Sequence, residues 1–355
     1  MTTNPQYTPQ PSKPAPALAA PTRTEPDVTN TPHDALFKAA FEHPEHARGI
    51  FRSILPTTLA DAISWDTVTA QPGSFIADDL AATHSDLLFS VQIAGKPAFL
   101  YLLLEHQSTS DFDMPIRMLA SLIGMWKRHR KQHGGPLPLV VAIVVTHAPD
   151  GWNAPVSFHS MFDPPPGSIP GLAELVPDFS LLVVDLNELD DDTLKARALA
   201  SFPKLALWLL RDGRDARDAD NAAAFKRQLL GWFATFRDAY KAPNGVEALA
   251  QLFRYIALVV GDVRFDDFRA MIHEQLPEAE EVAMTIAEEL HEKGMQQGMQ
   301  QGRAETLEKL MTAKFGELPP SCIAQIAEAS EKQLVAYIDR FLTATTIEAV
   351  FANTH

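Results

Sequence analysis

Cysteine is almost absent: Cys322 stands alone among 355 residues. That excludes an intramolecular disulfide and any zinc site built on several thiolates. Long apolar runs are lacking as well; charged residues interrupt every stretch before the ~18 residues needed to cross a bilayer. The first residues lack the basic start and apolar segment of a secretory leader, so the expectation is a cytoplasmic protein with no membrane partner. Positive charge is scarce, 30 Lys+Arg against 45 Asp+Glu for a net charge of -15, which taken alone argues against nucleic acid as a partner. The deficit is uneven. Residues 33–160 hold 9 Lys+Arg and 12 Asp+Glu, whereas residues 161–355 hold 19 and 31. An acidic site that takes up a divalent cation also sheds part of its negative charge.

What is present divides the chain. Eight of the 27 prolines fall in residues 1–32, where they remove backbone donors and forbid helix, so this reads as a disordered Pro/Thr-rich tail. Elsewhere 46% apolar content supports a full core. Leu36, Phe37, Ala40, Phe41, Ala47, Ile50, Phe51 and Ile54 follow helical spacing, with Asp34 as a cap and Pro44 splitting the helix in two. Residues 85–93 and 98–105 are short apolar strands around Ala94-Gly95-Lys96-Pro97, with room for an earlier strand near 63–75. Met114 to Lys131 has the stripe of an amphipathic helix, stopped by Gly134-Gly135. Residues 137–146 form a branched run typical of a strand buried on both faces, and 181–186 add an edge strand after a proline-rich loop. The order predicts an α/β domain with a mixed central sheet over 33–186. A helical region follows over 187–290, then a low-complexity Gly-Met-Gln-Gln repeat and C-terminal helices over 291–355.

The chemistry sits in the hairpin. With Gly95-Lys96 as the central residues of a type II′ turn, paired positions sum to 191, and Asp86 lies opposite Glu105 on one face with Cβ atoms ~4.5–5.5 Å apart. Gln107 falls on the same face two residues on. Like charges directly opposed are destabilising, and a divalent cation such as Mg²⁺, held by one or two carboxylates with water and phosphate, offsets the repulsion. The alternatives are a register different by two residues, or a shared proton.

The segments HDALFKAAFEHPEHARGIF, Leu80 to Val91, LYLLLEHQS and MPIRMLASLIGMWKRH, in this order over about residues 33–160, resemble the Rpn family of recombination-promoting nucleases, also called YhgA-like transposases. The resemblance implies a restriction-endonuclease-like core of the PD-(D/E)XK superfamily, with mobile-element or DNA-recombination biology. It places Asp86 at the first acidic position and Glu105 at the second, both as metal ligands, and Gln107 where a lysine is usual. Lysine would supply a positive charge to orient water and steady the transition state; glutamine hydrogen-bonds but cannot titrate.

Other residues have two readings each. Lys127, Arg128, Arg130 and Lys131 either contact DNA phosphates or complement the end of a helix dipole. Glu42 and Glu45 lie where the resemblance to the superfamily implies an occasional extra metal ligand, or they are a solvated helix face. His33 and Asp34 match the family's typical start, though capping alone accounts for Asp34. Trp65, Trp126, Trp152, Trp208 and Trp232 read as core. Gly294, Gly298 and Gly302 either align on a helix for close approach of another helix, which would make the C-terminal region a homo-oligomer contact, or are a low-complexity insert. The function expected is Mg²⁺-dependent DNA endonuclease. The competing reading is a catalytically weak scaffold whose acidic helical half binds a protein or self-associates.

Overall fold

The computed structural model describes residues 31–72, 86–105, 111–213, 219–259 and 265–352. Helix α1 (Pro32–Phe41) and helix α2 (Pro44–Ile54) are separate pieces, as the proline at 44 requires. The cap of α1 is Thr31, not Asp34. The Thr31 hydroxyl accepts from the Asp34 backbone N–H at 3.2 Å and donates to Asp34 Oδ2 at 2.8 Å, so Asp34 is the third helical residue in a reciprocal arrangement. After the short α3 (Thr57–Asp61) come β1 (Ile63–Gln71), β2 (Leu87–Ile93) and β3 (Lys96–Glu105). Helix α4 (Met114–His133), β4 (Leu139–Thr146) and β5 (Leu182–Asp185) follow. These strands form one sheet in sequence order. β1, β2 and β3 are antiparallel neighbours, whereas β3, β4 and β5 are parallel. The mixed α/β sheet expected from the sequence is present.

Both faces of the sheet are covered. Phe89 and Val91 of β2, Leu100 and Leu102 of β3 and Ile143 and Val145 of β4 alternate onto one face. Leu88, Phe99, Tyr101, Leu103, Ala142 and Val144 lie on the other, against Met114, Met118, Leu122 and Met125 of α4. The first face is buried by α1 and α2 and by the downstream helices α6 (Ser201–Asp212), α7 (Ala219–Tyr240), α8 (Gly245–Val259) and α9 (Phe265–Gln275), which share its core. Trp208 and Trp232 stack at 5.2 Å inside that core and are fully buried. Before them, α5 (Asp191–Ala196) anchors its Asp191 to Arg211 and the Trp232 indole.

Helix α10 (Glu280–Phe315) leaves this core. Its buried residues are Ala283 and Ile286 near one end and Leu307 and Met311 near the other. The far end joins a second cluster with the three short helices α11 (Pro320–Ala327), α12 (Glu331–Phe341) and α13 (Ile347–Phe351). The Gly-Met-Gln-Gln repeat occupies the span between the two cores, with Met295 and Met299 exposed and open space at the Cβ positions of Gly294, Gly298 and Gly302.

One expectation is corrected. The β2–β3 hairpin turns on Ala94-Gly95, not Gly95-Lys96: Ile93 pairs with Lys96 and Leu87 with Leu102, so paired positions sum to 189. Ala94 and Gly95 both have positive φ, 49° and 71°, the signature of a type I′ turn whose twist suits a two-residue hairpin. A shift of two residues preserves which face each side chain occupies, so the hydrophobic pattern could not discriminate the registers. Ala94→Gly relieves the left-handed strain on an alanine and is expected to raise stability by about 0.5–1 kcal/mol. A urea denaturation series measures it; a loss of stability would mean that Ala94 sits in extended strand and that the turn is centred one residue later.

Candidate functional site

In a sheet buried on both faces, polar side chains are confined to strand ends. Here β3, β4 and β5 finish at Glu105, Thr146 and Asp185, which lie side by side in register. The carboxyl ends of parallel strands are where open α/β sheets place their ligands. Asp86 immediately precedes the antiparallel β2 and so belongs to the same end.

Extending the observed register puts Leu103, not Glu105, opposite Asp86. Positions 86 and 105 therefore share strand parity but are diagonal, two residues apart in register, so the direct opposition expected from the sequence is corrected. The side chain of Glu105 and the whole of Gln107 lie outside the described residues.

What the structure places against Asp86 is Tyr101. The phenol is 1% exposed, packed among Leu88, Phe99 and Met118, and its hydroxyl donates to Asp86 Oδ2 at 3.0 Å. Burial, and then the negative charge of Asp86, push its pKa well above the ordinary range; a hydrogen bond from Ser121 and the charge of Arg117 act in the opposite direction. Ser121 and Arg117 belong to α4, one helical turn apart. Arg117 Nη1 donates to Asp111 Oδ2 at 2.5 Å, and the other Asp111 oxygen accepts the Asp113 N–H at 2.8 Å, which fixes the approach to the helix.

Neighbouring polar groups at this end have structural duties. Asp185 accepts the backbone N–H groups of Trp152 and Asn187, both at 2.9 Å, and clasps the loop that follows β4. Gly151 passes over it at φ 70°, where an added Cβ would meet Asp185 Oδ2 at 2.9 Å. Thr146 is buried and its hydroxyl accepts the Ala148 N–H at 3.2 Å. On the opposite face, His147 lies 5.1 Å from the ring of His33, which bonds the Tyr255 hydroxyl at 2.9 Å. His33 thus ties α1 and β4 to α8. Glu42, Glu45 and Lys38 are exposed on their helices.

The basic cluster is not brought to Asp86. Helix α4 runs back along β3: Met118 shares the core with Tyr101, His129 meets the ring of Phe99 at 6.4 Å, and the Trp126 indole donates to the Pro138 carbonyl just before β4. Lys127, Arg128, Arg130 and Lys131 therefore lie toward the amino ends of β3 and β4, ~15–20 Å along the helix from Arg117. Among the described residues no three His, Cys, Asp or Glu converge as metal ligands, and no helix is long and apolar enough to cross a membrane.

Tyr101, Ser121 and Arg117 were not singled out in the sequence. A tyrosine within the apolar run LYLLLE was the available sign, because a buried phenol requires a partner for its hydroxyl.

The class defined by these features is an α/β protein with a mixed sheet and an acidic group at the carboxyl ends of its parallel strands. Residues 31–235 match the family described as "Putative transposase, YhgA-like", and the chain belongs to it. It is similar to recombination-promoting nuclease RpnD of Escherichia coli O157:H7, 28% identical over 268 residues that cover 74% of this chain and 95% of that one. Recombination-promoting nuclease RpnA of Escherichia coli K12 is 28% identical over 317 residues, covering 87% and 97%. A third relative, of the same strain, is named inactive recombination-promoting nuclease-like protein RpnE, at 29% identity over 273 residues covering 75% and 84%. No solved structure matches.

The raised pKa of Tyr101 has a definite sign. The neutral phenol is favoured in the folded chain, so its contribution to stability is complete below the ordinary tyrosine pKa of about 10 and is lost as pH rises beyond it. In an ultraviolet titration of the chain's five tyrosines, Tyr101→Phe should lower by one the number that ionise only with unfolding. Ionisation of all five before unfolding would contradict the buried bond to Asp86.

Proposed function

We propose that this chain is a divalent-cation-dependent DNA endonuclease that hydrolyses phosphodiester bonds in recombination or mobile-element biology. The observation that carries the reading is the Tyr101–Asp86 bond: a buried phenol fixes a carboxylate at the carboxyl end of the parallel strands. The names of the relatives support the substrate.

The donor chemistry fits Mg²⁺, a hard cation that takes one or two carboxylates and completes its octahedron with water and substrate phosphate, so a cage of three protein ligands is not required. Asp86 and Glu105 would hold it. When bound, such a cation acidifies water and stabilises charge on phosphoryl oxygens. Tyr101, donating to Oδ2, sets the orientation of the Asp86 carboxylate, the role that outer partners of metal ligands commonly have. Gln107 would hydrogen-bond the attacking water through its side-chain amide. In the hydrolysis a P–O bond forms to the water oxygen and one ester P–O bond breaks; the proton lost by water ends on solvent and the departing oxygen acquires one.

A second reading keeps the fold without strong catalysis. RpnE is named inactive, and position 107 lacks the lysine usual in the superfamily. In that case α10, bridging two cores with an exposed middle, serves as the scaffold.

Nicking of supercoiled plasmid with and without Mg²⁺ separates the two. Asp86→Asn retains an acceptor for Tyr101 and removes the charge; Mg²⁺-dependent nicking should fall on the order of 100-fold or more, beyond the loss typical of an outer partner. Gln107→Lys should preserve or raise the rate. Equal nicking by wild type and Asp86→Asn would sink the assignment of Asp86, and no Mg²⁺-dependent nicking by either would favour the scaffold.

A further inference from the structure

Hydrolysis of a phosphodiester builds negative charge on the phosphoryl oxygens, and nucleases meet it with a cationic side chain as well as a metal. In this chain the third motif position is Gln107, which carries no charge. The dense basic cluster of α4 lies at the wrong end of the sheet. Among the described residues, Arg117 is a cation at the right end.

Three observations place it there. Helix α4 connects the parallel neighbours β3 and β4, and the Trp126 indole donates to the Pro138 carbonyl at 3.0 Å just before β4, so the last half of the helix lies at the strands' amino ends and its first turns at their carboxyl ends. Met118 shares the buried core with the phenol that holds Asp86, and Arg117 immediately precedes Met118, toward the helix start and so toward the carboxyl end. Asp111 at 2.5 Å restrains the guanidinium, while the side chain remains 39% exposed. A guanidinium presents five N–H donors in a planar fork that matches two phosphate oxygens.

We propose that Arg117 binds the scissile phosphate beside Asp86 and supplies, from the helix, the positive charge that position 107 lacks. Asp111 is then a positioning residue that aims the guanidinium. This rests on the nuclease reading, and the test is arranged so that the two can fail separately.

The affinity of a fluorescein-labelled DNA duplex is measured across a KCl series, in Ca²⁺ to prevent turnover, for wild type, Arg117→Ala, Arg117→Lys and Asp111→Asn, with thermal melting to establish folding. Loss of one phosphate contact should weaken binding by Arg117→Ala and reduce its slope of log affinity against log salt by about one unit. Arg117→Lys should keep the wild-type slope, and so should Asp111→Asn, which breaks the ion pair but keeps the cation. In nicking assays Gln107→Lys should accelerate Arg117→Ala by a larger factor than it accelerates wild type. Equal slopes for wild type and Arg117→Ala overturn the proposal, as does an Asp111→Asn slope as shallow as that of Arg117→Ala. If Asp86→Asn still abolishes nicking in that event, the nuclease reading survives it. A wild type that neither binds nor cleaves DNA overturns both.

Discussion

Strand β3 is paired on both edges from Ala98 to Leu102, antiparallel to β2 and parallel to β4, and both its faces are covered by helices. Everything polar in this half of the molecule follows from that constraint. From Pro97 to Leu104 the strand carries a single polar side chain, Tyr101. An unsatisfied hydroxyl there would carry a desolvation cost of about 1–3 kcal/mol. The phenol therefore spans the apolar layer under α4 and donates its hydroxyl to Asp86. The core and the candidate site share one side chain. A carboxylate near the end of β2 acquires a fixed orientation because its hydrogen-bond donor is locked in packing, the combination that holds functional groups within narrow limits.

The elements around β3 were legible because their periods are strong. β-branched runs gave β4, a helical stripe of methionines and leucines gave α4, and a proline divided α1 from α2. What failed was the pairing register, and the reason lies in the period of a strand. Moving by two residues keeps Phe89 and Leu100 facing one core and Leu88 and Tyr101 the other, so only the turn distinguishes the alternatives. Gly95 drew the turn toward itself and Lys96. In the structure Ala94 shares the positive φ with it, a conformation to which alanine gives no signal. The site was legible in its acids and not in its helper residues. Arg117 and Ser121 acquire meaning only when α4 is laid antiparallel on β3.

The helical half shows another limit of reading along the chain. The spacing of apolar residues in α6, α7 and α8 reveals that each has a buried face, but not what covers it. In the structure those helices pack on one another and on α1, so that Phe37 and Phe41 of α1 share a core with Trp208, Phe236 and Ile272. The Tyr255 hydroxyl joins this arrangement by contacting both His33 and the Leu209 carbonyl, at 2.9 and 3.2 Å. His33-Asp34 is accordingly a joint in the fold: Asp34 braces the first turn of α1 and His33 bridges to α8. The family-like start of the sequence has an architectural explanation that does not call on catalysis.

Charge supplies the remaining constraint. A chain with a net charge of -15 cannot gather DNA by its overall field, so any attraction must be local and short in range, within a Debye length of ~8–10 Å at physiological salt. The acidity is concentrated beyond residue 160, where residues 161–355 hold 31 Asp+Glu against 19 Lys+Arg. Cations in the first half are few, and α4 carries five of the nine Lys+Arg between residues 33 and 160. Four are grouped toward its C-terminal end, where the helix dipole already favours positive charge. The fifth, Arg117, faces the opposite bias, because the start of a helix is electropositive and disfavours a cation. Its carboxylate neighbour Asp111 offsets that cost and restrains the side chain at the end of the sheet that holds Asp86. Arg117 is thus a cation retained against the local helix field and held by its own acid, at the other end of α4 from the four that the dipole favours.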